Sequence, residues 1–263
     1  MQLTNLIPAK FLKRYKRFFI DGELSDGKVV TAHCPNTGSM KTLLDEAHEV
    51  WLRYEENPKR KLKYTAEVIK LKSGALALIN TQRPNVLVEE YLLSFQSDQS
   101  YPYELPRLPK VFQGVEPRWN RLKREVKYGR ENSKIDIWGE KDGTEYFVEV
   151  KNLTLMDSPH WGSFPDSVTQ RGQKHLRELT AILSEDSHIP ILCFLASRTD
   201  LHTYGIATHI DSNYAALYQI AKDTGVGIWV PQLRFKHQQN QDGTISLSMY
   251  LGEELSFREN PHR

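Results

Sequence analysis

Residues 134–151, KIDIWGEKDGTEYFVEVK, decide how this chain is read, because they form a β-hairpin pattern that gathers two carboxylates and a lysine. Asp142-Gly143 between alternating apolar segments signals a two-residue type I′ turn, which needs positive φ at both central positions. With those two residues as the loop, Lys141 faces Thr144, Trp138 faces Phe147, Asp136 faces Glu149 and Lys134 faces Lys151. Alternation then puts Asp136, Glu149 and Lys151 on one face and Tyr146, Val148 and Val150 on the other. Two carboxylates held about 5 Å apart at Cβ repel unless something compensates them, which points to a divalent cation. Ile135 and Ile137 flank Asp136, and Val148 and Val150 flank Glu149, so both acids sit mid-strand, where burial without a partner is costly. Taken alone, three such residues also fit an exposed hairpin with surface ion pairs.

Magnesium suits this pattern: a hard ion that keeps several waters can be held by one or two carboxylates and a substrate phosphate, with manganese as a substitute. Asp136 and Glu149 are the candidate metal ligands. Lys151, two residues along the same strand, is placed to orient or help deprotonate an attacking water, or to stabilise charge on a phosphate.

Three longer strings carry a resemblance. Residues 149–155 (EVKNLTL), 164–176 (FPDSVTQRGQKHL) and 33–40 (HCPNTGSM) resemble signatures of the bacterial sugar fermentation stimulation protein A family, and the likeness spans nearly the whole chain. The resemblance implies a DNA-binding protein linked to sugar, particularly maltose, catabolism. It also implies an N-terminal OB-like β-barrel followed by a PD-(D/E)XK restriction-endonuclease-like α/β domain. On that pattern Asp136 is the first acid, Glu149 the second and Lys151 the lysine, with Ile135 where the pattern's name has proline. The fold often adds an upstream acid as a metal ligand. Glu89, Glu90 and Glu125 compete for that place, and Glu125 ranks first, although its basic neighbours offer it another partner.

The chain has 263 residues, enough for one large domain or two modest ones, and a net charge of only +2. Basic residues nevertheless cluster at 10–17, 59–63 and 118–130, so local patches would have to attract a polyanion. Cys34 and Cys193 make no disulfide framework or zinc motif, which favours a reducing cytoplasm. No leader-like apolar stretch opens the chain, and no run approaches the roughly 18 apolar residues of a membrane span. A soluble cytoplasmic protein with no membrane partner is expected; the oligomeric state is not legible.

Short strands are expected at 15–20, 28–34, 49–54, 64–71 and 75–79, as in a five-stranded barrel, with a short helix within 38–44. A helix follows at 84–93, then strands at 121–128, 134–138 and 145–151, a helix at 166–183, a buried strand at 189–196, a helix at 211–222 and a strand at 227–230. This order divides the chain at 1–81 and 82–263. The hairpin expected at 233–251 has no legible function.

Cationic and aromatic residues interleave at Arg14, Tyr15, Lys16 and Arg17 on a predicted barrel strand, a pattern that offers phosphate contacts and stacking platforms. Aromatics in a core with solvated basic residues outside fit that segment equally well. Arg124 and Lys127 precede the metal site, and Arg171 and Lys174 share a face of the following helix, so all four are candidate phosphate ligands. His175 reads as a packed, hydrogen-bonded core histidine. Asn36, Thr37, Gly38 and Ser39 form a bend that could present donors to a phosphate, or simply a capped turn. A metal-dependent, endonuclease-like DNA nuclease is the leading reading. The alternatives are a non-catalytic DNA-binding transcriptional regulator of sugar metabolism with a dormant metal site, and a nuclease directed at RNA.

Overall fold

The computed structural model describes residues 1–95, 109–112 and 118–259. Its N-terminal part is a closed five-stranded barrel: β1 (Gln2–Tyr15), β2 (Phe19–Glu23), β3 (Val29–His33), β4 (Ala47–Tyr54) and β5 (Tyr64–Leu71), with α1 (Lys41–Leu44) a single turn between β3 and β4. The hydrogen-bonded order β1-β2-β3-β5-β4 returns to β1. Closure leaves no free edge. Ile20, Ala32, Val50, Leu52, Ala66 and Ile69 fill the barrel.

Two expectations change here. The predicted strand at 15–20 is a hairpin corner, because Lys16 and Arg17 adopt φ 47° and 64° between β1 and β2. That left-handed pair reverses the chain within the three-residue loop 16–18, which the Tyr15↔Phe19 pair closes. β1 also begins at Gln2, eight residues before the basic cluster that starts at Lys10; Asn5 at φ 56° and a register shift between Leu3 and Leu6 break the alternation that would reveal it.

β6 (Leu76–Leu78) leads to α2 (Arg83–Ser94), which has proline in its first turn. The α/β part continues with β7 (Arg121–Tyr128), β8 (Ser133–Lys141), β9 (Thr144–Leu153), β10 (Leu155–Ser158), β11 (Trp161–Phe164) and α3 (Gln170–Ala181). Then come β12 (His188–Ala196), β13 (Thr203–Ile206), α4 (Ser212–Thr224), β14 (Gly227–Trp229), β15 (Pro231–Gln239), β16 (Ile245–Glu254) and β17 (Ser256–Phe257). Strands β10, β11, β13 and β17 form a small second sheet that strand patterning did not anticipate.

The C-terminal hairpin acquires a structural role. β15 pairs with β12 at Gln232, and β16 pairs antiparallel with β1, so one sheet runs from the barrel through β16-β15-β12-β9-β8-β7. The same junction is packed as a core: Leu6, Trp51 and Val68 from the barrel meet Tyr91 of α2, Val148 and Val150 of β9, Trp229, and Met249 of β16.

α3 begins later than expected. Thr169 caps it by accepting from Gly172 N (3.0 Å), so residues 166–168 are left outside the helix. Asp211 caps α4 by accepting from Tyr214 N, and also takes the Thr169 N–H, both at 2.9 Å. One carboxylate therefore ties both helix N-termini together. Gly172 permits the approach, since a Cβ there would lie 3.0 Å from the Tyr214 ring. Among the described residues, no helix is long and apolar enough to cross a membrane.

Candidate active site

The hairpin of β8 and β9 keeps the expected register from Lys141↔Thr144 through Trp138↔Phe147 to Ile137↔Val148, and there the pairing stops. Asp136 and Glu149 are not ladder partners, and Lys134 pairs with Lys127 of β7 rather than Lys151. The reason is local. Asp136 Oδ2 accepts from Val150 N (2.8 Å), so a side chain bridges the strands where backbone pairing has ended, while β9 continues parallel to β12. Glu125 sits across from Asp136 at φ 56°, between the pairs Arg124↔Ile137 and Val126↔Ile135.

The parting of the strands opens a cleft of about 340 Å³ lined by Asn85, Asp136, Glu149, Lys151, Asn152 and Arg171, among others. The alternation along β9 delivers the chemistry. Tyr146, Val148 and Val150 enter the core beside α2, Phe147 and Leu153 enter the core beneath α3 and α4, and Glu149 is only 2% exposed. Asn85, near the start of α2, donates to Asp136 Oδ1 (2.8 Å). Lys151 Nζ donates to Glu149 Oε1 (2.5 Å). His175 of α3 also bonds that oxygen, and Arg171 Nε donates to His175 Nε2 (3.4 Å). The Arg171 contact makes Nε2 the acceptor and leaves Nδ1–H to donate to Glu149. Glu149 Oε2 is buried with no hydrogen-bond partner among the described residues.

Electrostatics separates the two acids. Burial, then the neighbouring Glu149 charge, pushes Asp136 up to about 6. Burial also raises Glu149, but Lys151 and His175 outweigh it and hold that carboxyl below its ordinary value. Burial and the charges of Glu149, Glu178 and Asp136 push the Tyr128 hydroxyl far up, another sign of a strongly negative locality. An orphaned buried carboxylate oxygen beside a second, strained carboxylate suits a hard divalent cation. Among the described residues, no group of three or more His, Cys, Asp or Glu side chains stands at metal-binding distances, so substrate and water oxygens would have to complete the shell.

The other expected residues disperse. Glu125 lies outside this cleft, in an adjoining basic groove of about 630 Å³ lined by Lys127, Lys134, Arg171, Lys174 and Arg177. Glu89 pairs with Arg124 (3.2 Å) and Glu90 with the N-terminal ammonium (2.7 Å). Lys174 donates to the Glu131 carbonyl. Lys16 and Arg17 are exposed at the barrel corner beside Phe18, and Tyr15 donates to Asp21 Oδ1 (3.3 Å). Arg14 instead reaches the carbonyls of Asn36 (2.7 Å), Gly38 (3.0 Å) and Ser39 (3.1 Å), holding the 36–39 loop in place. In that loop Gly38 N donates to Asn36 Oδ1 (2.8 Å) and Ser39 N to Asp166 Oδ2 (2.9 Å). Asn85 was missed because nothing in the sequence of α2 marks it. The burial of His175 agrees with a packed core histidine, and its bond to Glu149 also makes it part of the site.

Fold and site together define a class: a closed OB barrel fused to a restriction-endonuclease-like α/β domain that carries an acidic pair and a lysine. Residues 12–79 match the family model of the SfsA N-terminal OB domain, and residues 82–239 that of the sugar fermentation stimulation protein RE domain. The chain belongs to the sugar fermentation stimulation protein family. It is 41% identical to the sugar fermentation stimulation protein homolog of Marinomonas sp. over 90% of this chain and 85% of that one. It is 39% identical to the homolog of Shewanella denitrificans over 90% and 94%. Among solved structures it resembles Pyrococcus furiosus SfsA in complex with Ca2+, with a TM-score of 0.71, 22% identity and 98% of both chains covered.

Proposed function

We propose that this protein is a cytoplasmic, divalent-metal-dependent nuclease that hydrolyses phosphodiester bonds in DNA. The observation that carries the reading is the meeting of Asp136, Glu149 and Lys151 in one cleft, with Glu149 Oε2 buried and unpartnered. Asp136 and Glu149 would hold Mg2+, with Mn2+ as a substitute; the Pyrococcus furiosus protein of the same fold is described with Ca2+, an ion of the same hard class. The cation would supply charge neutralisation at the phosphate and a lowered pKa for the attacking water. The chain's own groups do the rest. Lys151, held against Glu149, lines the cleft, where it would orient water and stabilise charge developing on the phosphate. His175, its tautomer fixed by Arg171, keeps Glu149 ionised and aimed.

The basic groove supports a polyanionic substrate. Lys127 and Lys134 stand directly opposite each other in the β7–β8 ladder and both line the groove, an arrangement that repels itself until an anion bridges it. Arg171 lines both groove and cleft, so a phosphate chain held in the first leads into the second. Both cysteines are free and buried, in keeping with a reducing compartment.

The test is purified protein, with Glu149→Gln in parallel, incubated with single-stranded, duplex and flap DNA in Mg2+, Mn2+ or EDTA. Metal-dependent cleavage that the variant loses is the expected result. Binding without cleavage under every metal would overturn it and leave a DNA-binding regulator of sugar metabolism.

A further inference from the structure

Beside the acidic cleft lies a second cavity of about 260 Å³, walled by the 36–38 loop of the barrel, Thr81, Asn152 of β9, Thr154 between β9 and β10, Ser163 and Phe164 of β11, and Asp166. It is not a phosphate site. Among the described residues Asp166 is the only charged side chain in its wall, and the loop donors a phosphate would use are already committed, Gly38 N to Asn36 and Ser39 N and Oγ to Asp166. The closure is tight: a Cβ on Gly38 would lie 2.7 Å from Asp166 Oδ2. What the wall does offer is neutral. Asn152 Oδ1 and Ser163 Oγ are both buried without a hydrogen-bond partner among the described residues, and Ser163 is only 1% exposed. Leaving such atoms unpaired costs stability, so they call for a ligand with its own donors and acceptors. Phe164, half-buried and braced by Phe194 (5.3 Å) and Tyr214 (5.2 Å), adds a fixed aromatic ring.

We infer that this cavity receives an unpaired nucleobase from the nucleotide whose phosphate lies at Asp136 and Glu149, which makes the protein a nuclease of single-stranded or base-flipped nucleic acid rather than of intact duplex. The inference rests on the nuclease reading above. Three features support the assignment. Thr81, Asn152 and Phe164 line both cavity and cleft, so the two are neighbouring stations for one nucleotide. A base edge mixes donors and acceptors, which an amide and hydroxyls can match, and a base has the π-face that Phe164 can meet. A base still paired and stacked cannot leave the duplex to enter such a pocket without extrusion.

The experiment follows cleavage by the full-length protein in Mg2+ of a single-stranded oligonucleotide, of the same strand with one abasic site stepped through the positions around the cut, and of an interstrand-crosslinked duplex. The expected result is one position at which base removal slows cleavage about tenfold, the loss of a base contact of ordinary strength. The crosslinked duplex should be cut at least as slowly. Thr37→Phe, an exposed change at the cavity mouth, should cut normal and abasic strands at equal rates; Asn152→Ala should do the same from inside, with the melting curve of each variant checking its fold. Equal rates at every abasic position on a strand that is cut, or rapid cutting of the crosslinked duplex, would overturn the base pocket and leave the nuclease reading standing. No cleavage of any nucleic acid would overturn both.

Discussion

Two buried glutamates in this molecule are built to opposite specifications. Glu67, on β5 of the barrel, is 0% exposed and fully satisfied. Arg53 Nε (2.8 Å) and an Arg83 terminal nitrogen (2.7 Å) meet Oε1, while Asn80 Nδ2 (2.9 Å) and Arg83 Nε (3.0 Å) meet Oε2. Burial raises its carboxyl, and those bonds more than reverse the effect. Glu149 is buried almost as deeply, but both of its partners share Oε1, Oε2 has none, and a second carboxylate stands nearby. A buried carboxylate with every lone pair answered is a structural joint, here between the barrel and the start of α2. One left half-answered beside a second carboxylate is what the proposed cation site calls for. The two are also linked, because Arg83 begins the helix whose Asn85 reaches Asp136.

The sharpest way to break this contrast is to neutralise each glutamate. Glu149→Gln should lower metal-dependent cleavage by about a thousandfold or more while leaving the fold intact, measured by single-turnover rates alongside thermal melting. If it unfolded the protein instead, Glu149 would be a second structural joint. Glu67→Gln should do the reverse, costing about 3–5 kcal/mol in urea unfolding because two arginines lose their counter-charge.

Asp136 sharpens the comparison through pH. Its carboxyl titrates at about 6 in the folded protein against an ordinary 3.8, so the native state holds a proton the unfolded chain has already released. Metal-free stability therefore falls as pH rises from about 4 to about 6, and the cost is full above that window. Asp136→Asn should raise metal-free stability by about 1–3 kcal/mol at pH 8 and leave it unchanged below about pH 4. Added Mg2+ should stabilise the wild type but not the variant; equal stabilisation of both would remove Asp136 from the metal site.

The same contrast extends to the cations. Arg14 is engaged by loop carbonyls, so Arg14→Ala should cost about 1–2 kcal/mol of stability. Lys127, facing Lys134 with no partner among the described residues, should matter only to binding. Lys127→Ala should reduce the slope of log affinity against log salt for DNA by about 1, with an unchanged melting temperature. An unchanged slope would move the phosphate path elsewhere.

Much of this protein was legible from local pattern. Alternation and the Asp142-Gly143 turn placed Asp136, Glu149 and Lys151 on adjoining strands. Such features are set by a few neighbouring residues, whose φ preferences and side-chain period act wherever the chain goes. Patterning failed where the backbone departs from regular geometry, at Asn5 in β1, at the Lys16–Arg17 corner and at the parting of β8 from β9.

What the sequence by itself determined is therefore the order of the main elements, the family and the residues able to do the chemistry. Tertiary structure alone decided who stands beside whom. It turned the unexplained hairpin of β15 and β16 into the seam joining barrel and nuclease-like sheet, brought Asn85 to Asp136 and His175 to Glu149 from helices on opposite sides, and sent Glu125 into a neighbouring groove. Those outcomes depend on contacts between residues tens to hundreds of positions apart, which arise only once packing against a shared core has fixed each element's place.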